Sequence, residues 1–161
     1  MVVIMKKIVV VALLVIVFTL GYISAGPAAT AVASSIDNKA LEKDSPQDHV
    51  SESQIIVEQD KVAINIEKAS WLTFTDTNSM DPVIDMGANA IIIKPETIEN
   101  IKAGDIISYY SDYGLIIHRV VGTGFDENGW YAIAKGDNNP VEDLQKIRFS
   151  QIHGVVVAVI Y

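Results

Sequence analysis

Residues 114–135 read GLIIHRVVGTGFDENGWYAIAK, and their reading decides the fold. Asn128-Gly129 is a strong signal for a tight hairpin turn, because both positions tolerate positive φ. Gly122 and Gly124 loosen the chain on the other side of that turn. The pattern predicts that Gly114–Val121 pairs antiparallel with Trp130–Lys135, with Val121 opposite Trp130 and His118 opposite Ile133. Period-2 alternation places Ile116, His118 and Val120 on one face. The loop that begins at Gly136-Asp137 then leaves from the end of the partner strand lying toward Gly114, and its acids can fold back over His118.

The same texture extends outward through residues 61–161. Short apolar runs alternate with Gly, Asp and Asn clusters, the pattern of a mostly-β domain. Strands are predicted near Val62–Ile66, Ser70–Asp76, Ala90–Ile93, Asp105–Tyr110 and Val155–Tyr161, besides the two of the hairpin. Only Pro140–Phe149 has helical or 3₁₀ character. The segment suffices for one core and little more.

Residues 26–60 differ. They contain seven acids, two lysines and Ser45-Pro46, and read as a solvated tether. A short helix around Asp37–Lys43 and a strand at Gln54–Glu58 fit the local pattern. Upstream, residues 8–25 read IVVVALLVIVFTLGYISA without a charge. At ~1.5 Å per residue such a run is near the lower limit for crossing a bilayer as a helix. Lys6 and Lys7 precede it, which puts the N-terminus in the cytoplasm and the remainder outside. Residues 1–25 are read either as a retained transmembrane anchor or as a cleaved signal peptide. Ala29-Thr30-Ala31 and Ala31-Val32-Ala33 fit a small-x-small cleavage site, whereas the length of the apolar run favours the anchor. Both readings export the rest of the chain.

Charge and composition narrow the function. The 161 residues carry a formal charge of −8, and the lysine pair is the only charge in the first 25 positions. The exported part is therefore more acidic than the whole, which argues against nucleic acid as a partner. With no cysteine, disulfides, thiolate metal ligands and a thiol nucleophile are excluded. No cofactor or metal is implied: the three histidines lack zinc-ligand spacing, and no glycine-rich loop opens a helix.

His49 reads as a solvated tether residue and His153 as a turn or edge contact. His118, in mid-strand on an apolar face, needs a hydrogen-bond partner. Ser79 lies in Thr77-Asn78-Ser79-Met80-Asp81-Pro82, just past a strand. A serine is a poor nucleophile until a base takes its proton. His118 is the candidate base, and Asp137 and Asp143 are candidates to orient its imidazole.

Taken together, Ser79-Met80-x-Pro82, Gly104-Asp105-Ile106-Ile107, Ile117-His118-Arg119-Val120-Val121 and Lys135-Gly136-Asp137-Asn138-Asn139 resemble type I signal peptidases. The likeness is to their archaeal and endoplasmic-reticulum branch, in which a histidine stands where most bacterial enzymes have a lysine base. The resemblance covers about residues 70–161. It implies a membrane-bound serine endopeptidase on a mostly-β fold, with one N-terminal transmembrane helix at the plasma membrane and an outward-facing catalytic domain. Its partners would be preprotein signal peptides, cut after small residues, together with the lipid bilayer and a nearby Sec translocon. Ser79 would be the nucleophile, His118 the general base and Asp143 the third catalytic residue. Asp137 would be a second essential acid that holds the loop. Thr77 and the Ser79 N–H would form the oxyanion hole. Substrate would bind extended beside Trp71–Thr75 or Ser108–Ile116.

This sequence departs from the family at Thr77-Asn78, where Ser-Gly is commoner, and at Gly87-Ala88-Asn89, where many members have Gly-Asp. Its tether is long for cutting close to a bilayer, which leaves room for a specialised processing protease with one dedicated substrate. Two other readings stay open. One is a self-cleaving relative of the repressor-type Ser-Lys proteases. The other is an exported, non-catalytic β module that binds extended peptides.

Overall fold

The hairpin at the centre of the sequence is also the longest feature of the fold. In the computed structural model, which describes residues 42–161, Gly114–Asp126 forms one strand and Gly129–Lys135 its antiparallel partner. Glu127 and Asn128 make the turn, Gly129 has φ 96°, and the Asn128 N–H donates to Asp126 Oδ1 at 3.0 Å. In chain order the strands are β1 (Ile55–Val57), β2 (Val62–Ile64), β3 (Ala69–Thr73), β4 (Asn89–Ile93), β5 (Ile106–Ser111), β6 (Gly114–Asp126), β7 (Gly129–Lys135), β8 (Ile147–Arg148) and β9 (Ile152–Ile160). Three short 3₁₀ turns, at Glu52–Gln54, Ile98–Asn100 and Phe149–Gln151, complete the regular structure.

All pairings are antiparallel. Strands β1 and β2 form a separate two-stranded sheet, and the other seven join in the order β3-β4-β9-β5-β6-β7-β8. Alternation along β5 and β6 sends side chains into two apolar clusters. Ile107, Tyr109 and Val120 join Ala132, Ala134, Ile147 and Val155 in one. Ile106 joins Met80, Ile84, Ala90, Ile92 and Val156 in the other. Each fully buried Ile or Val side chain contributes about 1.5–3 kcal/mol of transfer free energy, so residues 69–161 carry the stability. The β1–β2 hairpin is exposed and belongs to neither cluster.

The mostly-β expectation holds, but the hairpin register differs. The sequence pattern ended the first strand at Val121, whereas β6 runs on to Asp126, pairing Phe125 with Trp130 and Arg119 with Lys135. A bulge at Val121 absorbs the extra residue. The glycines sit inside the ladder rather than breaking it. At Gly124 a side chain would come within 2.8 Å of the Tyr131 hydroxyl, so the Tyr131 ring lies over the space that glycine leaves open. In consequence His118 lies beyond the end of β7, not opposite Ile133, and the chain leaves β7 beside it.

Of Pro140–Phe149 only Phe149 has the expected 3₁₀ character, as the first residue of the last 3₁₀ turn; residues 140–148 are not helical. After turns, the Asp143 N–H donates to Ala134 O at 2.8 Å, which holds the chain alongside β7 until β8 begins. The solvated-tether reading fails locally. Gln47 N–H and Nε2 donate to the two oxygens of Asp105 at 2.8 Å, and His49 Nε2 lies 3.0 Å from Oδ1. His49 is largely buried by this contact, not solvated. The apolar run 8–25, the small-x-small sites and most of the proposed Asp37–Lys43 helix lie outside the described residues. Among the described residues, no helix is long and apolar enough to cross a membrane.

Candidate active site

The site begins with β6. His118 is 7% exposed, between Ile116 and Val120 on the face packed against the first cluster. An imidazole there needs a polar partner, and Asp143 supplies it. His118 Nδ1 lies 2.8 Å from Asp143 Oδ2 and 3.0 Å from Oδ1. A carboxylate only accepts, so Nδ1 carries a proton, and in a neutral ring that leaves the lone pair on Nε2. Asp143 reaches this point because the altered register lets the loop after Lys135 turn back over the end of β7.

Asp137 takes a different place. Arg119, the next residue along β6, points away from His118 by alternation. Its Nε and Nη2 donate to the two oxygens of Asp137, both at 2.7 Å, and its Nη1 donates to Gly104 O at 2.8 Å. The hydrogen bonds it donates to Asp137 hold the guanidinium above its ordinary pKa against the opposing effect of burial. Asp137 is thus a structural clamp on the loop, and of the two acids only Asp143 meets His118.

Ser79 comes from the segment between β3 and β4. Asn78, just before it, has φ 55°, a left-handed conformation that asparagine adopts more readily than other non-glycine residues. This accounts for Asn where glycine is common in the family the sequence resembles. Met80, just after it, is buried in the second cluster and anchors the turn. The serine backbone is stitched to the loop after β7. Ser79 O accepts from Asn138 N–H at 3.0 Å, and Asn78 O from Asn138 Nδ2 at 3.0 Å. Gly136 lies so close that a side chain there would come within 2.5 Å of Ser79 O.

Ser79 and His118 line one cleft of about 440 Å³. Leu72, Phe74, Ile84, Leu115 and Ile117 supply much of its apolar wall. No hydrogen bond joins Ser79 Oγ to His118 among the described residues; Oγ lies 3.3 Å from Thr77 Oγ1 instead. No described residue accepts from the Ser79 N–H. Catalytic hydrogen bonds are often long in empty sites and tighten when substrate binds. Two strand edges border the cleft: β3, which pairs only with β4, and the start of β6, which β7 does not reach. Strand β5 is paired by β6 along its length and by β9 at Ile107–Tyr109, so Ile107–Tyr109 has no edge to offer an extended peptide.

Two contributors escaped the sequence reading. Tyr109 donates from its hydroxyl to Asp143 Oδ2 at 2.5 Å. Its signal was alternation: Tyr109 shares a face with Ile107, the partner of His118, and a buried phenol needs an acceptor. Asn138 carried no signal beyond its place in the Gly136-Asp137-Asn138 block. His153 makes the edge contact expected of it, stacking edge-on against Tyr110 with centroids 5.4 Å apart. Among the described residues no group of three His, Asp or Glu side chains is arranged to hold a metal ion. No family model, no curated protein and no solved structure matches the chain.

Proposed function

We propose that this chain is a membrane-anchored serine endopeptidase of the type I signal peptidase kind. It cleaves signal peptides from exported preproteins after small residues. One observation carries the reading: a buried histidine has its Nδ1 fixed by Asp143 and shares a cleft with Ser79. The four-block resemblance of the sequence to the archaeal and endoplasmic-reticulum branch supports it. The anchor at residues 8–25 would hold the domain on the outer side of the plasma membrane, near the translocon, where cleavage regions emerge.

In the proposed reaction Ser79 Oγ attacks the scissile carbonyl carbon while His118 Nε2 takes its proton. The carbonyl oxygen becomes an oxyanion, held by the Ser79 N–H and the Thr77 hydroxyl. Losing one such donor typically costs ~10²–10³ in rate. As the carbon–nitrogen bond breaks, His118 returns the proton to the departing amine, leaving the acyl group on Ser79 Oγ. Water then attacks the ester, giving its proton to His118, which passes it to Ser79 as the carboxylic product leaves. Asp143 stabilises the imidazolium at each stage. The substrate would lie extended along β3 or the free start of β6, its side chains entering the apolar cleft at alternate positions.

The test uses full-length protein in liposomes with a preprotein carrying a small-x-small site, followed by mass spectrometry. The expected result is a cut after the small residue that is lost in Ser79→Ala and in His118→Ala. Wild-type cleavage by either variant would overturn the triad. The pairing of Ser79 Oγ with Thr77 Oγ1 instead of His118 favours one second reading, a β module that binds extended peptides without cutting them. Peptide binding with no cleavage by any form of the folded protein would select that reading.

A further inference from the structure

Asp143 lies on a loop without regular structure, yet its carboxylate must keep one orientation for His118 to work. The backbone is fixed by the bond from Asp143 N–H to Ala134 O, but that bond leaves the side chain free to rotate. Among the described residues the side chain has two partners, and both reach Oδ2, with His118 Nδ1 also 3.0 Å from Oδ1. Oδ2 lies 2.5 Å from the Tyr109 hydroxyl and 2.8 Å from His118 Nδ1. Of these partners, His118 gains and loses a proton in the proposed reaction. Tyr109 does not. Its ring is 2% exposed within the first apolar cluster, and burial followed by the Asp143 carboxylate pushes its phenol far above the ordinary range. It therefore stays a neutral donor where His118 exchanges its proton.

We infer that Tyr109 is a positioning residue for the Ser79–His118 site, acting through Asp143. The inference rests on the peptidase reading above. A hydrogen bond to a carboxylate favours its ionised form. Tyr109 thus aims Oδ2 at the imidazole and draws off part of its charge, so that Asp143 orients His118 without binding the proton too tightly. The charged groups nearby do not duplicate this role. From β5 only Tyr109 reaches the pair. From β6, Arg119 is committed to Asp137 and Gly104 O, and at the end of β7 Lys135 Nζ donates to Gly136 O. With Tyr109→Phe the neutral-histidine state of the pair loses more stabilisation than the imidazolium state, where His118 already offsets the negative charge. Proton affinity then rises.

The test compares wild type and Tyr109→Phe in full-length protein with the same preprotein, and repeats the comparison in an Asp143→Asn background. The expected result is a kcat about tenfold lower with KM unchanged, and an acid limb of kcat/KM moved up by about half a pH unit. In Asp143→Asn, the change from Tyr109 to Phe should add no further loss. A kcat within twofold of wild type, an unmoved acid limb, or an undiminished effect in Asp143→Asn would each overturn the inference. If wild type does not cleave the preprotein, the peptidase reading fails, and NMR titration of the His118 ring in Ser79→Ala protein decides the inference alone. A titration displaced to higher pH by Tyr109→Phe sustains it, and an unmoved one overturns it. Tyr109→Met, which keeps an apolar side chain but no hydroxyl, replaces Phe if that variant does not fold.

Discussion

Two aspartates six positions apart do different work, because each meets a different residue of β6. Asp143 faces His118, and Asp137 faces Arg119. Read from the residues themselves, both acids were candidates to orient His118, since spacing does not say which side of a strand a returning loop will meet; only the family resemblance gave them different roles. Asp143→Asn should leave the fold intact and lower kcat by ~10²-fold or more, as a misaligned imidazole does in other triads. Asp137→Asn should do the reverse in kind. It breaks a bidentate ion pair and leaves a half-buried guanidinium with one weakened partner, at a cost of about 1–3 kcal/mol in stability. Thermal unfolding of the two variants beside their kinetics separates the roles. Equal loss of melting temperature in both would refute the division. A similar contrast holds at Asn78, whose φ of 55° is strained for most side chains. Asn78→Gly should be close to neutral, and Asn78→Val should lose about 1–2 kcal/mol.

At the scale of elements, the segment after β3 and the loop after β7 form one unit. Asn138 binds the backbone of both Asn78 and Ser79, the Asp137 N–H approaches Met80 Sδ at 3.5 Å, and Gly136 touches Ser79 O. Gly136→Ala should therefore displace Ser79, the proposed nucleophile, since its Cβ would lie 2.5 Å from Ser79 O and 2.7 Å from Asn139 Nδ2. Activity should fall at least tenfold while far-UV circular dichroism is unchanged; full activity would mean that Ser79 does not depend on this contact. The strands and the partners of the chemistry were legible because alternation and turn residues are local. Trp71, Ile92, Ile107 and Val120 all fall in predicted strands. The register of β6 was not legible. Gly122 and Gly124 carry a breaker signal by themselves, and the cross-strand pairing of Gly124 with Tyr131, whose ring lies over it, is not written in the local sequence. Tyr109 was missed for a related reason, as its partner comes from a loop 34 residues away along the chain.

Across residues 42–161, one buried carboxylate joins the tether to the loops of the candidate site. Asp105 is fully buried and accepts from Gln47 N–H and Nε2, from Lys102 N–H and from His49. Its neighbour Gly104 has φ 99°, and a side chain there would collide with the Ser45 carbonyl. The Gly104 carbonyl in turn accepts from Arg119, which holds Asp137. Composition marked residues 26–60 as solvated because acids dominate there. A neutral Gln47 and a histidine were enough to seat part of the segment on a buried acid. Burial pushes the Asp105 carboxyl up, but the bonds from Gln47, Lys102 and His49 outweigh it, and its pKa lies below the ordinary value. A carboxyl lowered on folding stabilises the native state above the unfolded value, about 3.9 for aspartate. That stabilisation is lost as pH falls through the lower, folded value. Wild-type protein should therefore be more stable than Asp105→Asn at pH 6. The gap in melting temperature should close below about pH 4, as protonation removes in wild type what the mutation has already removed. Limited proteolysis should track the same change, with cleavage after Lys43 accelerating in Asp105→Asn at neutral pH. A gap in melting temperature that stays constant from pH 6 to pH 3 would show that Asp105 contributes by packing alone and that its ionised form does not hold the segment.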